Sequence, residues 1–185
     1  MLIEDGEGRR RSRSMQTQVA KRDLVVQPIG LGSVNPIEVF FSYAHKDEGL
    51  KGKLADQLAI LQRLGVIAKW DDRMIDAGSD WKAEIDHRLN AAQIILLLIS
   101  PDFLASDFCY GIEMKRAMER HGCGEARVVP VILRACLWTR APFGKLQALP
   151  QNGKPITSWK NLDEGFKNVA EGIEKAVKAF EARNP

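Results

Sequence analysis

The run Ile94-Ile95-Leu96-Leu97-Leu98-Ile99 sets the narrowest limits on what this chain can fold into. An uncharged apolar run must be covered on every side, yet this one is far short of the roughly 20 residues that cross a bilayer. Ser100-Pro101 follows at once. Its length and β-branched content suit a central strand of a parallel sheet, because helices run longer. Elements of alternating period flank it. Ile37–Ser42 (IEVFFS) reads as another buried strand, and Asp47–Leu64 as a helix with Leu50, Leu54, Leu58, Leu61 and Leu64 on one face and Gly65 just past its end. Val66–Trp70 is a further strand candidate. Ser79 or Asp80 caps a helix Trp81–Ala91, whose core face is Trp81, Ile85, Leu89 and Ala92. Ser106–His121 reads as one helix, and Arg127–Leu133 as a strand in which Pro130 marks an edge or a bulge. After an irregular stretch and the short piece Ile156–Ser158, a helix Asp163–Phe180 carries Phe166, Val169, Ile173, Val177 and Phe180 on one side. Strands alternating with helices predict βαβ crossovers and a doubly wound α/β fold.

Composition narrows the partners. Lys+Arg at 27 against Asp+Glu at 24 leaves +3, too small a surplus for a nucleic-acid groove without a clustered basic face. Residues 1–35 read as a flexible leader, polar and carrying Arg9, Arg10, Arg11 and Arg13 beside Glu4, Asp5 and Glu7, with Met15 as an alternative start. A single domain is expected over 36–185. The three cysteines are an odd number without CxxC spacing, which argues against a disulfide framework or a zinc knuckle and for free thiols in a cytoplasmic protein. No secretory segment is expected near Met1.

Ligands of open parallel sheets bind outside the carboxyl ends of the strands. The segments there are Phe41-Ser42-Tyr43-Ala44-His45, the loop DDRMIDAGSD over 71–80, and Ser100-Pro101-Asp102. GxxxxGK[ST] is absent, and no GxGxxG follows the first strand, so P-loop and Rossmann nucleotide sites are excluded. A phosphoacceptor receiver needs an acidic residue where the central strand ends, and Ile99-Ser100-Pro101 stands there instead. His45, His87 and His121 lack metal-ligand spacing, so no metal is expected.

VFFSYAHKD (Val39–Asp47), DDRMIDAGSDW (Asp71–Trp81) and IILLLISPDFLASDFCYGIEMKRAM (Ile94–Met118) resemble the successive boxes of the Toll/interleukin-1 receptor (TIR) domain in its bacterial form. VVPVILRACLW and LQALPQNGKPITSW are similar to the downstream half of the same group. The resemblance covers about Pro36 to Phe180. It implies a flavodoxin-like sandwich of about five parallel strands with helices on both faces. It implies two possible jobs: cleavage of NAD+ at the nicotinamide–ribose bond, to ADP-ribose or a cyclic isomer, or a non-catalytic scaffold acting through TIR–TIR contacts. NAD+ is then a substrate, with no cofactor besides.

The same resemblance places the catalytic glutamate at Glu113, in the run Ser106-Asp107-Phe108-Cys109-Tyr110-Gly111-Ile112-Glu113. The family often has tryptophan four positions earlier, where this chain has Cys109 between Phe108 and Tyr110. Substrate contacts are expected from Phe41, Ser42, Tyr43, Asp71, Trp81, Ser106, Phe108, Cys109 and Tyr110. Several have a plainer use: Ser106 as a helix N-cap, Trp81 as core, Asp71 as a loop cap, Glu113 as a dipole-favoured surface charge. Strand period puts Phe41 and Tyr43 in competition between core and pocket. Self-assembly is expected through the loop residues Arg73, Met74, Ile75, Asp76, Ala77 and Gly78, ordering the site. A separate sensor domain or protein, a role in bacterial defence, and no direct contact with membrane or nucleic acid complete the implied picture.

Overall fold

The computed structural model describes residues 35–68 and 81–183. All of the expected leader except Asn35, the end of the Val66–Trp70 strand, and the loop 71–80 lie outside the described residues. So do the side chains of Trp81 and Phe108.

Three parallel strands, β1 (Val39–Tyr43), β2 (Ile94–Ile99) and β3 (Arg127–Ile132), stand side by side in chain order. Ile94 faces Val39 on one side and Arg127 on the other. Every β2 side chain is fully buried, as an uncharged central run requires. Alternation divides them. Ile94, Leu96 and Leu98 join a cluster with Leu54, Leu58 and Leu61 of α1 (Glu48–Arg63) and Phe166, Val169, Ile173 and Val177 of α5 (Leu162–Glu181). Ile95, Leu97 and Ile99 join Leu89 of α2 (Trp81–Ala91), Phe103 of α3 (Pro101–Ala105), and Met114 and Ala117 of α4 (Met114–Gly122). Helices thus cover both faces. None of the described helices is long and apolar enough to cross a membrane.

The expected five strands are not found among the described residues: the sheet has three, with one lone bridge at each edge. Ile67 pairs with Ile37, held by Ile37 N–H donating to the Val66 carbonyl at 3.2 Å and Ala68 N–H to the Ile37 carbonyl at 2.9 Å. At the far edge Leu149 pairs with Val131, and Pro150 directly after it removes the donor that a longer ladder would need. Ile156–Ser158 is a 3-10 turn following Pro155. Pro130 sits on an edge strand, as its chemistry requires. Its carbonyl accepts from Leu149 N–H at 2.8 Å, so its missing N–H lies on the outer edge and costs the β2 ladder nothing.

The helix expected over Ser106–His121 is also corrected. Ser100 caps α3, its Oγ accepting from Phe103 N–H at 3.0 Å with Pro101 in the first turn. Ser106 breaks the chain with an extended conformation (ψ 116°) and caps a π-helix, Asp107–Glu113, before α4 begins. Alternating helix formers do not reveal such a widened turn, because π and α periods differ little over one turn.

Gly65 ends α1 with φ 69°, its N–H donating to the Gln62 carbonyl at 3.0 Å while Val66 N–H donates to Leu61 at 2.9 Å. That is a Schellman closure, and a Cβ there is strained although the space is open. Gly65→Ala should therefore cost about 1 kcal/mol in urea unfolding; an unchanged midpoint would contradict the strained cap.

Candidate active site

β1 alternates strictly, and Ser42 points to the face opposite Phe41 and Tyr43. Its partner is Glu113, the last residue of the π-helix. Ser42 Oγ donates to Glu113 Oε2 in a short hydrogen bond. Both are sealed in, at 1% and 4% exposure. The surface-charge reading of Glu113 does not hold. One residue along β1, the Tyr43 carbonyl accepts from Cys109 Sγ at 3.3 Å, so the π-helix is anchored at two points to the carboxyl end of the strand.

Burial pushes the Glu113 carboxyl up to about 7; the Ser42 bond works against this, and the charge of Asp86 adds to it. Burial likewise raises the Cys109 thiol, which makes it a packing residue rather than a nucleophile. The Glu113 shift has a sign that a stability measurement reads. Below pH 4.5 the carboxyl is protonated folded or unfolded. Between 4.5 and about 7 the unfolded chain ionises while the folded one keeps its proton, so folding weakens as pH rises. Glu113→Gln lacks this step. It should outrun the wild type by about 3 kcal/mol above pH 7, with the gap closing near pH 4.5. Parallel unfolding curves across that range would refute the buried carboxylate.

The other expected contacts divide. Ser106 caps the π-helix, its Oγ accepting from Cys109 N–H at 3.2 Å, which is its plainer use. Tyr110 is half-buried against the same cluster as Cys109. Phe41 is core on the opposite face, and Tyr43 packs beside it with Lys51 Nζ 5.3 Å from its ring centroid. Neither ring is on Glu113's side of the sheet, because residues two apart on a strand share a face. Asp71 and the assembly-loop residues Arg73, Met74, Ile75, Asp76, Ala77 and Gly78 lie outside the described residues, as do the rings of Trp81 and Phe108.

A second polar cluster, not assembled from the sequence, ties the three strand ends together. Asp47, following β1, accepts from Ser100 Oγ beyond β2 and from Arg134 Nε beyond β3 at 2.8 Å. Arg134 also bonds Asp102, which takes Lys46 Nζ at 2.9 Å. These two cations hold the Asp102 carboxyl below its usual range, Lys46 most strongly. A lone arginine directly after a buried strand was the available signal. Among the described residues no group of three His, Cys, Asp or Glu side chains is placed to hold a metal.

Comparison with known proteins gives two matches. The family model described as "TIR domain" matches residues 39–174. An uncharacterized protein, y4lF, of Sinorhizobium fredii (strain NBRC 101917 / NGR234) is 59% identical over 139 residues, covering 75% of this chain and 43% of the relative. The chain thus spans less than half the length of that relative.

Proposed function

The chain belongs to the TIR-domain family, and on that premise we propose that it is an NAD+ glycohydrolase with Glu113 as its catalytic carboxylate. The observation that carries this is a buried carboxyl, held by Ser42, at the carboxyl end of a parallel sheet. Enclosure at such an edge is expensive for a glutamate with no chemical task, and perturbed carboxyls of this kind concentrate at functional sites.

The chemistry needs one acidic group. Nicotinamide on ribose is already cationic, so the C1′–N bond breaks with its electron pair passing to nitrogen and neutral nicotinamide leaving. No proton donor is required. Positive charge develops on the ribosyl carbon and ring oxygen, and a carboxylate fixed beside it is worth most in a water-poor site. Water then adds to C1′ and gives up a proton, yielding ADP-ribose; capture by a hydroxyl of the same molecule gives a cyclic isomer. Ionised Glu113 fits this role, and Ser42 holds it in place. Self-association through the 71–80 loop would complete the site, ordering it at the expense of the protein–protein contact rather than of substrate binding. We place the activity in the bacterial cytoplasm, in defence, under a separate sensor.

Incubation of concentrated and cluster-forced protein with NAD+, with products identified by mass spectrometry, tests the proposal. Nicotinamide release is expected. Folded, assembled protein that leaves NAD+ intact would instead support a scaffold that pairs with other TIR domains.

A further inference from the structure

The chain's surplus of +3 is small, but its cations are unevenly placed. Residues 134–162 carry five cations and no acid; without those five, the rest of the 27 Lys and Arg are outnumbered by the 24 Asp and Glu. Total charge does not register such a placement. This segment wraps the outer edge of β3. Leu149 bridges Val131, Phe143 is buried in one core cluster and Ile156 in the other, and Thr157 N–H donates to the Leu133 carbonyl at 3.1 Å. On these anchors hang four 3-10 turns, Trp138–Arg140, Pro142–Lys145, Gln151–Gly153 and Ile156–Ser158. Arg140 and Lys145 end the first two turns, Lys154 follows the third, and Lys160 stands just past the fourth.

Contacts join the turns into one surface. Gly144 packs on the Thr139 backbone with no room for a Cβ, which brings together the turns that bear Arg140 and Lys145. Gly153, with φ 64°, lies against the Trp138 ring, where a Cβ would stand 2.7 Å away. Lys154 Nζ sits 4.8 Å from the centroid of the Trp159 ring, and Lys160 is the next residue. Arg140, Lys145, Lys154 and Lys160 are all exposed, and among the described residues no carboxylate pairs with any of them. Asp163 and Glu164, next along the chain, are no exception. Only the fifth cation, Arg134, is committed, to Asp47 and Asp102.

A field of one sign fits a partner of uniform opposite sign. Three of the four free cations are lysines, which the cores of protein–protein interfaces avoid and phosphate contacts use. A membrane surface is held by cations beside a buried apolar face, and here Leu137 alone of the segment's large apolar side chains is exposed. Trp138 and Trp159 are spent in packing against Gly153 and Gly165, so no ring is offered to an unstacked base. We propose that this surface beyond β3 binds the phosphate backbone of double-stranded nucleic acid without reading its sequence. The proposal is independent of Glu113 and of NAD+ cleavage.

Salt dependence tests it, read as the anisotropy of a labelled DNA duplex of random sequence titrated with the full chain. Arg9, Arg10, Arg11 and Arg13 can also meet phosphates, so the comparison is between variants of the same length. In the triple variant Arg140→Gln, Lys145→Gln and Lys160→Gln, the slope of log Kd against log salt should fall by about 2–3, close to one per lost phosphate contact. Lys145→Gln alone should lower it by about 1. Lys53→Gln, at an exposed lysine of α1, should leave it unchanged. Equal slopes in the parent and the triple variant overturn the proposal and give the binding to the arginines near Met1. A parent that ignores the duplex at low salt overturns it as well, and its capture by phosphatidylserine vesicles would then make the surface a membrane contact.

Discussion

Nicotinamide release falls by about 10²-fold or more in Glu113→Ala and in Glu113→Gln, with the folded state retained. Glutamine is the sharper of the two variants, since it keeps the shape and can still accept from Ser42 while removing the charge. If stabilisation of the ribosyl cation is what the carboxylate provides, kcat and kcat/KM drop together and KM barely moves. The pH dependence follows from the same group. The active form is ionised and the carboxyl titrates at about 7 in the free protein, so kcat/KM climbs as pH rises to that value and is flat above it. Ser42→Ala removes a donor that favours the ionised form, so its limb should move to higher pH. Mass-spectrometric rates over pH 5–9 for the three variants read all of this. A Glu113→Gln protein with wild-type turnover would end the assignment.

The second large effect concerns stability. Asp47 has a side chain 1% exposed, and its two described partners, Ser100 and Arg134, come from beyond the other two strands. Removing one member of a buried pair leaves the other charged in a poor solvent, which typically costs about 3–5 kcal/mol. The two halves are unequal, because Arg134 is one-third exposed and keeps Asp102. Arg134→Met, which strands the Asp47 carboxylate, should therefore cost the upper part of that range, and Asp47→Ala the lower. For a domain of this size the drop in Tm is on the order of 10 °C. Lys46 bonds the same network with its side chain 78% exposed, and Lys46→Ala should change stability by no more than about 0.5 kcal/mol. Urea midpoints decide the matter; if Arg134→Met costs no more than Lys46→Ala, the strand ends are not held this way.

What the chain alone determined was its layered α/β arrangement and the position of its acidic candidate. The apolar run at Ile94–Ile99 admitted only a strand buried on both faces. The spacing of Phe166, Val169, Ile173 and Val177 admitted only a helix laid against it, because hydrophobic period is a local property. Gly65 ended α1 where a left-handed residue was due. The resemblance singled out Glu113 by its place in a motif. Tertiary structure decided what depends on distant partners. Phe41 and Tyr43 share a motif with Ser42, but only the direction of the sheet face separates core from site. Asp47, Ser100 and Arg134 are far apart in sequence and meet only because parallel strands end together. Charge and burial act through space, and the chain order of these residues carries no record of that distance.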